Sequence, residues 1–157
     1  MQPHEEPLPA EIKKILSSQM LAVLSTERGG QPYSSLMAFA FTSDLKTIIA
    51  ATGKATRKFV NLRREPRVSL LIDTRTNAAE DFHGAAAITV IGRAAFARRE
   101  ELPELERLYL DKHPYLEGFL ASPTTMLFKV EVYHYLLVTR FQKVMEYHLT
   151  DETDLFA

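Results

Sequence analysis

The chain has 157 residues, 46% of them apolar and 25% charged, with a net charge of −1 and no cysteine. That length suits one domain with a core of its own, and the balanced charge offers no broad basic field for nucleic acid. Disulfides, thiolate nucleophiles and cysteine metal sites are excluded, and no apolar run approaches the ~20 residues of a membrane helix.

Residues 1–8 read as a loose tail, acidic and proline-rich. They lack the basic-then-apolar order of a signal peptide, so a cytoplasmic location is expected. Pro9 suits the start of a helix over residues 10–18, with Ile12, Ile15 and Leu16 on one face. Residues 20–25 (MLAVLS) form a compact apolar run that ends in a turn signal containing Gly29-Gly30. Gln31 to Thr42 reads as the returning strand of a hairpin, and Thr47 to Ala51 as a third strand after the Ser43-Asp44 turn. Short turns between successive strands predict an antiparallel sheet.

The stretch from Ala50 to Asp73 predicts strand, loop, helix and strand, with Pro66 stopping the helix. A helix N-terminus carries about half a positive charge and favours acids, yet Lys54, Arg57 and Lys58 crowd this one, and no acid comes before Glu65. Two readings follow. Either an anion such as phosphate is held there, with Thr52 and Thr56 adding hydroxyls and Gly53 allowing close approach, or the long side chains bend away into water.

Residues 74–83 are polar and read as a loop, and residues 85–97 as a fifth strand in which Gly92 marks a bulge or sharp bend. Glu100 to Lys112 is the clearest amphipathic helix, with Leu102, Leu105, Leu108 and Tyr109 sharing a face and His113-Pro114 ending it. A short helical piece follows around residues 115–120. Residues 126–132 alternate as a strand, and residues 135–140 and 143–149 read as a terminal hairpin. Six or more short antiparallel strands with three or four helices predict a small closed barrel with helical decoration.

Several motifs are excluded by spacing. The Gly53-Lys54 pair lacks the upstream glycine and following hydroxyl of a nucleotide-triphosphate loop, since Ile48 and Ala55 stand there. Neither the Gly-x-Ser-x-Gly elbow nor the Gly-x-Gly-x-x-Gly fingerprint occurs. His4, His83, His113, His134 and His148 include no pair at helical metal-ligand spacing, so no metal site is expected. Asp81-Phe82-His83 reads as an ordinary polar loop, with an acid–base pair as the sharper alternative.

The order of elements, with Ala51-Thr52, Thr56-Arg57-Lys58, Asn61-Leu62 and Glu65-Pro66-Arg67-Val68, resembles the flavin-binding split-barrel family that includes pyridoxamine 5′-phosphate oxidase. The resemblance is strongest from Leu21 to Ala97 and continues more weakly to Leu149. It implies a mainly β, six-stranded antiparallel split barrel with flanking helices, one FMN-binding domain over residues 1–157, assembled as a homodimer. It also implies that Arg57 and Lys58 pair with the FMN phosphate and that Thr56 donates a hydroxyl. Ala51 and Thr52 would pass beside the phosphate or ribityl chain, and Ser35, Leu36, Met37 and Ala38 would run along the flavin ring through backbone groups.

The chain departs from the oxidase proper. Basic residues of that enzyme's second strand and a glutamine near its fifth are replaced by LMAFAF and AAAITVIG, and tryptophan is absent. The resemblance therefore implies FMN-dependent redox chemistry on a small molecule or electron donor other than pyridoxamine phosphate. An apolar cleft favours an apolar or aromatic substrate. The alternatives on the same barrel are a haem-binding or haem-degrading protein, with His83, His113, His134 or His148 as ligand, and a non-catalytic flavin-binding module. No catalytic acid or base is assigned, and neither nucleic acid nor membrane is an expected partner.

Overall fold

The computed structural model of the protein describes residues 7–140 and 142–150. It opens with helix α1 (Leu8–Ser18), whose Ile12, Ile15 and Leu16 are buried at the predicted spacing. The helix starts earlier than expected, with Pro7 at its cap; of the expected tail, residues 1–6 lie outside the described residues. Strands β1 (Leu21–Arg28) and β2 (Gln31–Ala38) form the predicted hairpin. Gly29 and Gly30 both take positive φ, 57° and 85°, as a two-residue turn of right-handed strands requires.

The expected second strand is interrupted at Phe39 and resumes as the two-residue β3 (Ala40–Phe41), which pairs with β4 (Thr47–Gly53). Every residue from Ile48 to Thr52 is buried. Ile48 and Ala50 face the main core, while Ile49 and Ala51 face a second cluster with Leu105 and Tyr109. A strand covered on both faces has no polar side, which explains its unbroken apolar run.

Helix α2 (Arg57–Arg64) and strand β5 (Arg67–Asp73) follow, then the four-residue helix α3 (Asp81–Gly84) and strand β6 (Ala86–Phe96). Helix α4 (Leu102–Lys112) buries Leu105 and Tyr109. A 3₁₀ turn (Pro114–Leu116) and helix α5 (Glu117–Ala121) lead to β7 (Thr125–Thr139) and β8 (Lys143–His148).

All strand pairs are antiparallel, in the order β2-β1-β5-β6-β7-β4-β3, with β8 also on β7. The architecture is the expected mainly β sheet with helices. Six long strands carry it, and β3 and β8 bring the described strands to eight.

The C-terminal region differs from the expected separate strands. Residues 125–139 form one strand that pairs with β4 through its first half and with β8 through its second. The physical reason is a bulge. Ile91 pairs with His134 and Gly92 with Val132, leaving Tyr133 as the extra residue. Burial then shifts from Val130 and Val132 to Tyr135 and Leu137, so the alternation changes phase and reads as two strands. Gly92 sits where the bulge requires it, since a Cβ there would meet the Glu131 carbonyl oxygen at 2.4 Å.

Candidate functional site

Thr56 caps α2, and its Oγ1 accepts from the Phe59 amide at 3.1 Å. The same oxygen lies 2.9 Å from the Gly53 carbonyl and 2.9 Å from Thr52 Oγ1, so both hydroxyls are knitted into the loop that enters the helix. The amides of Arg57 and Lys58 meet no acceptor among the described residues. No acid among the described residues pairs with Lys54, Arg57 or Lys58. The helix end thus presents two free N–H groups and three unneutralised cations.

The three cations are not equivalent. Lys54 and Arg57 are exposed, whereas Lys58 is half-buried and burial lowers its pKa from the ordinary lysine value. Lys58 forms part of the wall of a cavity of about 510 Å³. From the predicted site, Leu36, Met37, Ala38 and Ala51 line the same cavity. Ser35, Thr52, Thr56 and Arg57 do not. Ser35 Oγ is buried with no protein partner, and Thr52 is buried beneath Thr56. Gly53 has room for a side chain, whose Cβ would meet only Thr56 Cγ2 at 3.6 Å.

The far wall was not foreseen. Met20 and Leu21 come from the start of β1, Tyr109 and His113 from α4 and its end, and Leu116 and Phe119 from the turn and helix that follow. Sequence spacing marked His113 only as a helix stop. The structure buries it, 3% exposed, with Nε2 at 2.6 Å from the Phe39 carbonyl oxygen and its ring centroid 5.3 Å from that of Tyr109. A carbonyl can only accept, so Nε2 carries the proton. Burial first, then the charge of Lys112, lowers the ring's pKa against the opposing pull of that hydrogen bond, so the imidazole is neutral.

The cavity opens beside a terminal strand of the sheet. β2 pairs only with β1, so its other edge carries backbone N–H and C=O groups with no strand partner. Apolar side chains also reach the surface there. Met20, Leu21 and Leu36 are 59%, 50% and 62% exposed.

The other histidines lie elsewhere. His83 is exposed and borders a separate, polar cavity with Glu11, Arg140 and Lys143. Its neighbour Asp81 is the clamp of the 74–84 loop. The carboxylate accepts from the Thr76 and Asn77 amides and the Thr76 hydroxyl at 2.7–2.9 Å, and those bonds hold its pKa below the usual carboxylate value. His134 and His148 face each other across β7 and β8 with Nδ1 atoms 2.6 Å apart. His4 lies outside the described residues. No group of three potential metal ligands occurs among the described residues, and no helix among them is long and apolar enough to cross a membrane.

Comparison with known proteins agrees with this geometry. A pyridoxamine 5′-phosphate oxidase homolog of Schizosaccharomyces pombe is 36% identical over 89 residues, covering 51% of this chain and 47% of that protein. The match therefore spans about half of that relative. Among solved structures, a haem binding protein from Mycobacterium smegmatis superposes with a TM-score of 0.81 at 18% identity, covering 92% of this chain and 59% of that one. A FAD-binding protein from Mesorhizobium loti gives 0.66 at 16% identity, covering 82% and 91%. At such identities these two show the shared fold alone. The family model of pyridoxamine 5′-phosphate oxidase matches residues 8–137, from the first turn of α1 to the end of the β6–β7 pairing. With that match over most of its length, and the split-barrel sheet beneath it, the chain belongs to the pyridoxamine 5′-phosphate oxidase family.

Proposed function

We propose that the protein is an FMN-binding oxidoreductase, one domain over residues 1–157, working as a homodimer. The observation that carries this reading is Lys58, an ammonium without an acidic partner in the wall of an apolar cavity, beside two unpartnered helix amides. That donor set suits a phosphate dianion. Lys58 and the amides of residues 57 and 58 would hold the phosphate from within, and Arg57 from the exposed side. Ala51 and the knitted pair Thr52 and Thr56 would keep the loop in place below it.

The ring would lie along Ser35, Leu36, Met37 and Ala38, where the free edge of β2 offers backbone donors and acceptors to the flavin's pyrimidine side. When bound, the flavin supplies the electron transfer, and the protein supplies binding, orientation and exclusion of water. The apolar walls favour an apolar or aromatic substrate over pyridoxamine phosphate.

A second copy is the natural cover for the apolar rim. Leu36 is in register with Val23, and Val23 with Leu71, giving a row across β2, β1 and β5 in which Leu36 and Leu71 are 62% and 38% exposed.

Haem is the other occupant to weigh, from the printed description of the Mycobacterium smegmatis protein. The one histidine in the cavity wall has Nε2 committed to the Phe39 carbonyl. Its Nδ1 stands next to the ring's own Cβ, which would press against a macrocycle. The imidazole geometry therefore favours flavin.

Mass spectrometry of the small molecule released by heating the purified protein tests the proposal, with FMN as the expected species. Arg57→Ala with Lys58→Ala should abolish it while the circular dichroism spectrum is unchanged. Full FMN occupancy in the double variant would place the cofactor elsewhere.

A further inference from the structure

The cavity wall holds one polar group that the phosphate reading leaves unused. His113 is 97% buried by its 3% exposure, its ring is held by the 2.6 Å hydrogen bond to the Phe39 carbonyl, and Tyr109 lies against it. With the proton fixed on Nε2, the ring's lone pair is on Nδ1. That atom meets no donor among the described residues. Turning the ring to satisfy it would break the bond to Phe39, so the acceptor is fixed in place. A buried acceptor left unpaired is costly, and its neighbours in the wall, Leu116 and Phe119, offer no side-chain donor.

We infer that His113 is the specificity-determining residue of this cavity, and that its Nδ1 accepts a hydrogen bond from a hydroxyl or N–H group on an uncharged aromatic substrate. The inference rests on the cavity being the substrate site and narrows its occupant from apolar to apolar with one donor. A site built around a single neutral acceptor rejects two kinds of competitor. A plain hydrocarbon leaves Nδ1 unpaired, and an anionic group brings lone pairs to a lone pair. Lys58, the one cation in the wall, is already claimed by the cofactor's phosphate.

The experiment compares 4-methylphenol with toluene, which share a ring and methyl group and differ in the O–H. Binding to the protein as purified is followed by nuclear magnetic resonance of the histidine ring nitrogens. The phenol should bind about three- to tenfold more tightly, the range of one net hydrogen bond, and should move the His113 Nδ1 signal upfield while toluene leaves it in place. His113→Phe should bind the two probes equally. Equal affinities in the natural protein, failure of both probes to bind, or an unmoved Nδ1 signal overturns the inference, and these readings do not depend on whether His113→Phe folds. FMN content measured on the same samples separates the two proposals. Absence of FMN with the phenol preference intact counts against the flavin alone.

Discussion

Asn61 Nδ2 donates to Thr26 Oγ1 at 3.1 Å, joining the third turn of α2 to the middle of β1, and both residues are buried, at 4% and 3% exposure. The bond fixes the rotation of a short helix whose first turn carries the candidate phosphate site. Asn61→Ala should cost about 1–3 kcal/mol by leaving Thr26 under-satisfied. Asn61→Leu combined with Thr26→Val should recover part of that loss, because both polar groups then go. Urea titration of the two single variants and the double variant measures the coupling directly. Strict additivity would show that the pair does not act as a unit.

Lys58 and Arg57 stand side by side but differ in setting, one half-buried in the cavity wall and the other exposed. Lys58→Met should weaken FMN binding about ten- to hundredfold, the range for a desolvated charge-assisted bond. Arg57→Ala should cost less than about tenfold, and its effect should fade with added salt. Fluorescence titration of FMN at low and high salt separates them. The reverse order would mean the phosphate sits outside the cavity.

Gly92→Ala should destabilise the fold by about 1–3 kcal/mol, since the new Cβ would press on the Glu131 carbonyl at the β6–β7 bulge. Thermal melting detects the change. FMN affinity should be preserved, because the bulge contributes nothing to the cavity wall.

Lys112 places Nζ 3.7 Å from the centroid of the Phe39 ring and 3.0 Å from the Leu16 carbonyl oxygen. Burial pushes its pKa down to about 8 from 10.5. Between those values the unfolded chain keeps a proton that the folded chain releases. Stability should therefore rise as pH increases from about 8 toward 10.5, by roughly 1–3 kcal/mol from this residue. Lys112→Met should remove that rise, which urea midpoints across the same pH window report. An unchanged slope would show that the ring and carbonyl already compensate the burial in full.

Much of this fold was legible from local signals. The Gly29-Gly30 pair announced a hairpin, Gly92 a bulge, and the acid-free start of α2 an anion site, because each depends on a few neighbouring residues. What escaped depends on distant ones. His113 owes its role to Phe39, 74 positions earlier in the chain, and spacing within α4 could show only that a helix ended there. The division among Lys54, Arg57 and Lys58 is likewise set by the packing of α4 and the segment after it, which close the cavity over one cation and leave two outside. Asp81 carried the opposite lesson. An acid two residues from a histidine suggested chemistry, yet its oxygens are consumed in holding their own loop.

β7 runs unbroken from the wall of the candidate site to the C-terminal hairpin, with β6 along one side and first β4, then β8, along the other. Neither end of the sheet can peel away without tearing that shared strand. Backbone amides in β4 and β8, far apart in the chain, should then exchange with deuterium at matched rates through a single global opening. Any breathing that admits a ligand falls instead to the helical segment from Pro114 to Ala121, which that strand does not bind into the sheet.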